Sequence, residues 1–336
     1  MKIIITGGAG FLGQRLAEEI LASGTVALPS GDRVAGPEII LADRPGAAIS
    51  ANLAGNVTQA PLDICDAQAV AQIIDDDAAA VFHLAAVVSA AAEADFDLGM
   101  SVNLAGTRNV LEAVRALKRP VPVVFTSSLA VFGGKLPARL GDDQAVQPEN
   151  SYGAQKAIGE ILCGDYRRKG FCDARTLRLP TIVIRPGTPN AAASSFASSI
   201  LREPLHGEDV VCPVARDLKL WIASPEAAVT GLAHTLSIAP QVWPGFGTLN
   251  LPGLATSVAE MLAALEQTER GAAARVRFEQ DERIDAIVGS WPHDFDCRTA
   301  EALGFAADRS VADIISAYVA RYRPSDRGGA GKCQAR

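Results

Sequence analysis

The stretch Lys2-Ile3-Ile4-Ile5-Thr6-Gly7-Gly8-Ala9-Gly10-Phe11-Leu12-Gly13 decides how the rest of the chain is read. Its β-branched start has the pattern of a buried parallel strand. Glycines follow at once, and Gly7, Gly10 and Gly13 make G-x-x-G-x-x-G. Residues 14–23 then place Leu16, Ile20 and Leu21 on one side of a helix. A strand that turns tightly into a helix through bare backbone lets a pyrophosphate approach the helix N-terminus. Gly7, Gly10 and Gly13, with Phe11 and Leu12 between them, are therefore candidate dinucleotide contacts. The spacing differs from the G-x-G-x-x-G form.

Outward from there, strand and helix patterns alternate. Residues 25–36 are polar, carry Gly and Pro, and read as a lengthened loop. A second strand at 38–42 ends in Asp43. An acidic side chain there can bond both adenosine ribose hydroxyls and repel a 2′-phosphate, which predicts NAD over NADP. The gap from the glycines exceeds the usual ~20 residues, and the loop at 25–36 accounts for it. Arg44 could hold a 2′-phosphate; the rival reading is a solvated loop charge. A third strand at 57–62 leads to Asp63-Ile64 and a helix at 66–74. A fourth at 78–84 runs into Ala85-Ala86-Val87-Val88-Ser89, small enough for a flat cofactor to lie close. One long helix is expected at 96–117. A fifth strand at 121–126 ends in Ser127-Ser128, a helix follows at 151–168, and a further strand at 174–184 is broken by Pro180.

This alternation predicts an α/β fold: a Rossmann-like, doubly wound parallel sheet over 1–186, with part of 217–250 returning to it. After Pro186 the alternation fails. Residues 187–322 read as a smaller C-terminal α/β substrate lobe, with helices at 190–201, 258–269 and 310–321 and a strand at 275–278. Residues 323–336 read as a disordered tail.

Tyr152 and Lys156 stand four apart in the helix at 151–168, so they share a face. A free tyrosine titrates near ~10, and an adjacent ammonium pulls it down. The pair is expected to be a proton acceptor tuned toward working pH. Taken alone, the pattern also fits a solvated helix face.

The chain has 336 residues, 49% of them hydrophobic, which suits one large domain with an appended lobe. Its net charge of −7 argues against a nucleic-acid or anionic-membrane surface. The six cysteines are scattered without C-x-x-C, so neither a disulfide framework nor a metal site is expected. With no leader-like segment and no apolar run of about 18 residues, a cytoplasmic protein is expected.

The ordered set now includes Gly7/Gly10/Gly13, Asp43, Asp63, His83-Leu84-Ala85-Ala86 and Asn103. It continues through Ser127-Ser128…Val131-Phe132-Gly133, Tyr152…Lys156 and Arg185-Pro186-Gly187. It strongly resembles the extended short-chain dehydrogenase/reductase superfamily, over residues 1 to about 190 and more loosely to 322. Within that superfamily, Pro189-Asn190-Ala191-Ala192-Ala193-Ser194-Ser195-Phe196-Ala197-Ser198 and Ser290-Trp291-Pro292…Phe295-Asp296…Leu303-Gly304-Phe305 are similar to dehydrogenases of short aldonates, which are often labelled sugar-nucleotide epimerases.

The resemblance implies NAD as cofactor and Ser128, Tyr152 and Lys156 as the catalytic set, with Ser127 the fallback for Ser128. Lys156 would also hold the nicotinamide ribose. Asp63 and Ile64 would contact the adenine; an N-cap is the alternative for Asp63. Leu84, Ala85, Ala86, Asn103 and Pro180 would line the cofactor site, helix packing being the rival for Asn103. His83, inside an apolar strand, reads as a packed core histidine. Oxidation of the C2 hydroxyl of a short aldonate such as D-erythronate is implied. Ser89, Arg185, Asn190, Ser194, Ser195 and Lys219 are candidates for binding that acidic small molecule, without a choice among them.

The alternatives are a nucleoside-diphosphate-sugar epimerase that retains NAD and a non-catalytic NAD-binding sensor. The epimerase branch often carries Arg-Asp-[FY]-[IV]-His-Val-x-Asp in its second half. Residues 217–226 here read Asp-Leu-Lys-Leu-Trp-Ile-Ala-Ser-Pro-Glu, without the Arg and His that help clamp a diphosphate. A homodimer through the helices at 96–117 and 151–168 is the superfamily's common arrangement.

Overall fold

Three consecutive isoleucines, Ile3 to Ile5, are fully buried, which requires a central strand covered on both faces. That strand is β1 (Lys2–Thr6). The computed structural model describes residues 1–187 and 193–322. Six more parallel strands flank β1: β2 (Glu38–Asp43), β3 (Thr58–Pro61), β4 (Ala78–His83), β5 (Pro122–Ser128), β6 (Asp173–Leu179) and β7 (Thr248–Asn250). In these labels their order is 7-6-5-4-1-2-3. The crossovers include α1 (Phe11–Ser23), α2 (Thr107–Ala116) and α3 (Ser151–Arg168). The doubly wound α/β fold is as the alternation of patterns predicts.

Two local expectations change. The loop at 25–36 contains an antiparallel ribbon, Thr25–Ala27 against Arg33–Ala35. Gly31 at φ 92° supplies its turn, a backbone state that costs glycine little. The single helix expected at 96–117 is in three parts: Phe96–Gly99, a π-helical turn Met100–Gly106, and α2. The neighbours approach closely at both joints. A Cβ on Gly99 would lie 2.4 Å from Gln155, and one on Gly106 would lie 2.7 Å from Ile64.

Beyond β6 the chain builds a second core. A three-stranded sheet places Lys219–Ala223 parallel to Thr181–Ile182 and antiparallel to Leu254–Ser257. Val210–Cys212 pairs with Val276–Phe278. The helices α4 (Ser195–Leu205), α6 (Val258–Thr268) and α7 (Val311–Tyr322) close around Val183, Ile200, Leu220, Met261 and Ile315. The helix between, α5 (Pro225–His234), packs on α1 instead, and its Leu232 joins Leu249 and Phe305 in the core under the main sheet. So α5 and β7 return to the seven-stranded sheet, and Lys219–Ala223 does not. Among the described residues, no helix is long and apolar enough to cross a membrane. The tail at 323–336 lies outside the described residues.

Candidate active site

The strand order reverses between β1 and β4, and in open parallel sheets ligands bind at the carboxyl edge beside such a switch. A cavity of about 340 Å³ lies at this edge. Gly7, Gly10, Phe11, Leu12 and Gly13 form one side of it, with Leu84 and Ala86 from the end of β4. The glycines are sterically required. Gly7 has φ 69°, and a Cβ there would lie 2.7 Å from the Ala85 nitrogen. A Cβ on Gly13 would lie 2.5 Å from the Gly7 carbonyl oxygen. This bare cradle at the N-terminus of α1 fits the pyrophosphate of a dinucleotide.

Asp43 stands at the rim of the cradle. Its Oδ2 accepts from the Ala9 N–H at 2.9 Å and its Oδ1 from the Arg44 N–H at 2.8 Å, while the Arg44 side chain is exposed. Asp63 is exposed and accepts from Cys65 N–H at 2.9 Å, closing a local turn. The N-cap of the next helix is Asp66, so Asp63 is not that cap. Ile64 is buried against Gly106. Asn103 is buried behind the cavity, where it accepts from Val87 N–H at 2.7 Å and donates to Gln155 Oε1 at 2.7 Å. It therefore braces the 84–88 segment from outside. His83 bridges Thr6 at 2.7 Å and Thr107 at 2.9 Å within the core.

Ser128, Tyr152 and Lys156 meet on the opposite side of the cavity. The Asn150 side chain caps α3 by accepting from Gly153 N–H at 2.8 Å. Gly153 lets this first turn press on the 129–131 turn, because a Cβ there would lie 1.9 Å from the Ala130 oxygen. Ser128 Oγ accepts from Ala130 N–H at 3.2 Å, and Ser128 hydrogen-bonds the Tyr152 phenol. Ser127 is engaged elsewhere: it donates to Glu160 at 2.5 Å, and Arg178 grips the same carboxylate at 2.9 and 2.7 Å. Lys156 is buried. Its Nζ donates to the Thr126 carbonyl at 2.8 Å and lies 4.7 Å from the centre of the Phe125 ring.

One expectation is corrected here. The phenol of Tyr152 is not pulled down by Lys156. Burial pushes it up to about 12, against which the Ser128 hydrogen bond and the Arg185 charge act. Burial also brings Lys156 down to about 8. For both groups burial disfavours the charged form, and that outweighs the favourable interactions around them.

The far wall comes from the lobe. Arg185 and Ser194 line the cavity, as does Ser89, whose Oγ accepts from Ala193 N–H at 3.3 Å. Pro180 follows β6 onto the same wall. Lys219 is not brought there: it is exposed at the first position of its strand, and its charge acts on Glu260. Asn190 lies outside the described residues. Thr126, Leu179 and Ile182 also line the cavity and were missed. Their places at strand ends on the carboxyl edge were the available signal. Trp291 lines it from 139 positions beyond Tyr152, and no local pattern announces that. The Trp291 segment is fastened to the loop ahead of α3. Leu140 N–H donates to Asp294 O at 3.0 Å, Asp296 N–H donates to Leu140 O at 2.7 Å, and Phe295 packs on Phe132 and Trp221.

A glycine cradle and a Ser–Tyr–Lys set on one cavity, with an acidic strand end bonded to the cradle, are the arrangement of an oxidoreductase of short-chain type. The chain belongs to the NAD dependent epimerase/dehydratase family, whose pattern matches residues 3–221, and with it to the extended short-chain dehydrogenase/reductase superfamily. It is 49% identical over 322 residues to D-erythronate dehydrogenase of Cupriavidus necator, covering 95% of this chain and 98% of that protein. With D-erythronate dehydrogenase of Haemophilus influenzae it shares 44% identity over 322 residues, 95% of this chain and 99% of that one. The solved nucleoside-diphosphate-sugar epimerase from Agrobacterium tumefaciens superposes with a TM-score of 0.88 at 38% identity, covering 96% of this chain and 94% of that one.

Proposed function

We propose that the chain is a dehydrogenase that oxidises the C2 hydroxyl of D-erythronate to the 2-oxo acid with NAD. The observation that carries this reading is the convergence of Ser128, Tyr152 and Lys156 on the cavity whose other side is the glycine cradle. The names of the two curated relatives support the substrate.

Gly7, Gly10 and Gly13 would hold the pyrophosphate, Asp43 the adenosine ribose, and Lys156 the nicotinamide ribose. When bound, the nicotinamide ring supplies the acceptor for the hydride that leaves C2. Ser128 bonds the substrate hydroxyl and fixes its direction. Tyr152 Oη takes the hydroxyl proton as the C2 carbonyl forms. Lys156 stabilises the phenolate from beneath the ring, and its bond to Thr126 fixes it there. Leu129, Leu179 and Ile182 give the cavity an apolar wall.

A second reading, epimerisation of a nucleoside-diphosphate sugar, draws on the likeness to the epimerase from Agrobacterium tumefaciens. One experiment separates the two. With D-erythronate and NAD, absorbance should show stoichiometric NADH, and an analogue without the 3-hydroxyl should react much more slowly. Calorimetry with UDP-glucose should show no binding. Tight UDP-sugar binding, or epimerisation without net NADH, would overturn the dehydrogenase reading.

The homodimer belongs to the same reading. Ile161 on α3 is 54% exposed and Phe96 is 58% exposed, so an apolar face is left for a second copy. Sedimentation of Ile161→Glu as a monomer, against a wild-type dimer, is the expected outcome.

A further inference from the structure

Two arginines meet where the lobe joins the cavity, and they are committed differently. Arg202 donates to Glu203 at 2.6 Å, to Ser199 at 3.2 Å and to the Arg185 carbonyl at 2.6 Å. Its charge is answered inside the protein. Arg185 has its main chain fixed, by that bond and by its own N–H donating to Ser198 Oγ at 3.1 Å. Its side chain lines the cavity, and among the described residues no carboxylate lies within ion-pair distance of it. Burial and the neighbouring Arg202 both act against its positive charge. A partly desolvated cation without a counter-ion is costly, and an anionic ligand relieves that cost.

The position of this cation is informative. Arg185 and Tyr152 line the same cavity, and the charge of Arg185 favours the ionised phenol. In a 2-hydroxy acid the carboxylate carbon is bonded directly to the carbon bearing the hydroxyl. A group that reads the carboxylate must therefore sit close to the base that takes the hydroxyl proton. The guanidinium also offers a planar fork that matches both carboxylate oxygens. Lys219, the other cation considered for this task, is outside the cavity.

We propose that Arg185 binds the substrate carboxylate and so presents the adjacent C2 hydroxyl, rather than that of C3 or C4, to Ser128 and Tyr152. This rests on the aldonate reading given above and names the residue that sets its regiochemistry.

The test compares wild type, Arg185→Met, Arg185→Lys and Lys219→Met on C3 to C5 2-hydroxy acids and on the matching neutral amides. Kinetics are paired with acid titrations in the presence of NADH, read by tryptophan emission because Trp291 lines the cavity. The wild type should prefer acid to amide. Arg185→Met should cut the acid-to-amide ratio of kcat/KM by on the order of 10²-fold, as for truncation of one partner of a buried charge pair, and should weaken the acid titration. Arg185→Lys keeps the charge without the fork and should fall between. Lys219→Met should keep the wild-type ratio. If Arg185→Met does not fold, an unchanged ratio in Arg185→Lys overturns the proposal. An acid preference that survives in folded Arg185→Met overturns the role of Arg185 and leaves the aldonate reading standing. A wild type that treats acid and amide alike overturns both.

Discussion

Lys156 Nζ stands 5.8 Å from the centre of the Tyr152 ring and spends a hydrogen bond on the Thr126 carbonyl at 2.8 Å. The cation lies under the phenol rather than on its oxygen. Burial moves the two groups in opposite directions, Lys156 down to about 8 and Tyr152 up to about 12. The pairing that works, phenolate over ammonium, is then a minority state whose population follows pH.

From this comes a shape for the pH profile of oxidation. Below about 8, Lys156 is charged, and each unit of pH raises the phenolate fraction tenfold. Between about 8 and about 12, loss of the ammonium proton cancels that gain. Log kcat/KM should rise with unit slope and flatten near pH 8. Lys156→Met should have a lower rate without the bend. A flat wild-type profile from pH 6 to 8 would remove the phenol from the rate-limiting proton transfer.

Tyr152→Phe keeps the ring between Ser128 and Lys156 and deletes the titrating oxygen. Turnover should drop by ~10²–10⁴-fold, the usual span of general base catalysis, with NAD binding little changed. Lys156→Met should also weaken NAD binding. Single-turnover kinetics and NAD titration on both variants check this.

The carboxylate of Asp43, pinned by the Ala9 and Arg44 amides, should make NAD preferred over NADP. Asp43→Ser should move the ratio of efficiencies toward NADP by more than about tenfold, as removal of a like charge from a phosphate allows. Equal use of both cofactors by the wild type would show that exposed Arg44 governs the choice.

His83 gives a prediction about acid stability. Burial between Thr6 and Thr107, helped by the charge of Lys156, depresses its imidazole to about 3. The unfolded chain takes up this proton below about 6.5 and the folded chain does not, so the contribution is present above that pH and lost as pH falls toward 3. Each unit of difference is worth ~1.4 kcal/mol. Urea midpoints at pH 7 and pH 4.5 should differ less for His83→Gln than for wild type.

Where the sequence was readable, it was because one chemistry had one local solution. Gly7 must be glycine to pass Ala85, Ile3 to Ile5 must be central, and α3 spans Ser151–Arg168 as its pattern predicts. What could not be read depends on distant partners. The π-helical turn at Met100–Gly106 falls between two close approaches, of Gly99 to Gln155 and of Gly106 to Ile64. Lys219 is one of several candidates on sequence alone, but it stands exposed at the start of its strand and outside the cavity. The Tyr–Lys spacing placed both side chains correctly on one face. It carried no measure of the burial around the phenol, which acts against its ionised form.

The clasp between Leu140 and the 294–296 segment joins parts of the chain that are made at well-separated times. On the ribosome the glycine turn emerges before Ser128, Tyr152 and Lys156. Trp291 and the residues that steady the loop ahead of α3 come 139 positions and more after Tyr152. A growing polypeptide thus carries Ser128, Tyr152 and Lys156 through a long interval in which the cavity lacks the indole of Trp291. A chain cut short before that residue keeps the wall given by Ser89, Pro180, Arg185 and Ser194 and loses the clasp that steadies the loop ahead of α3.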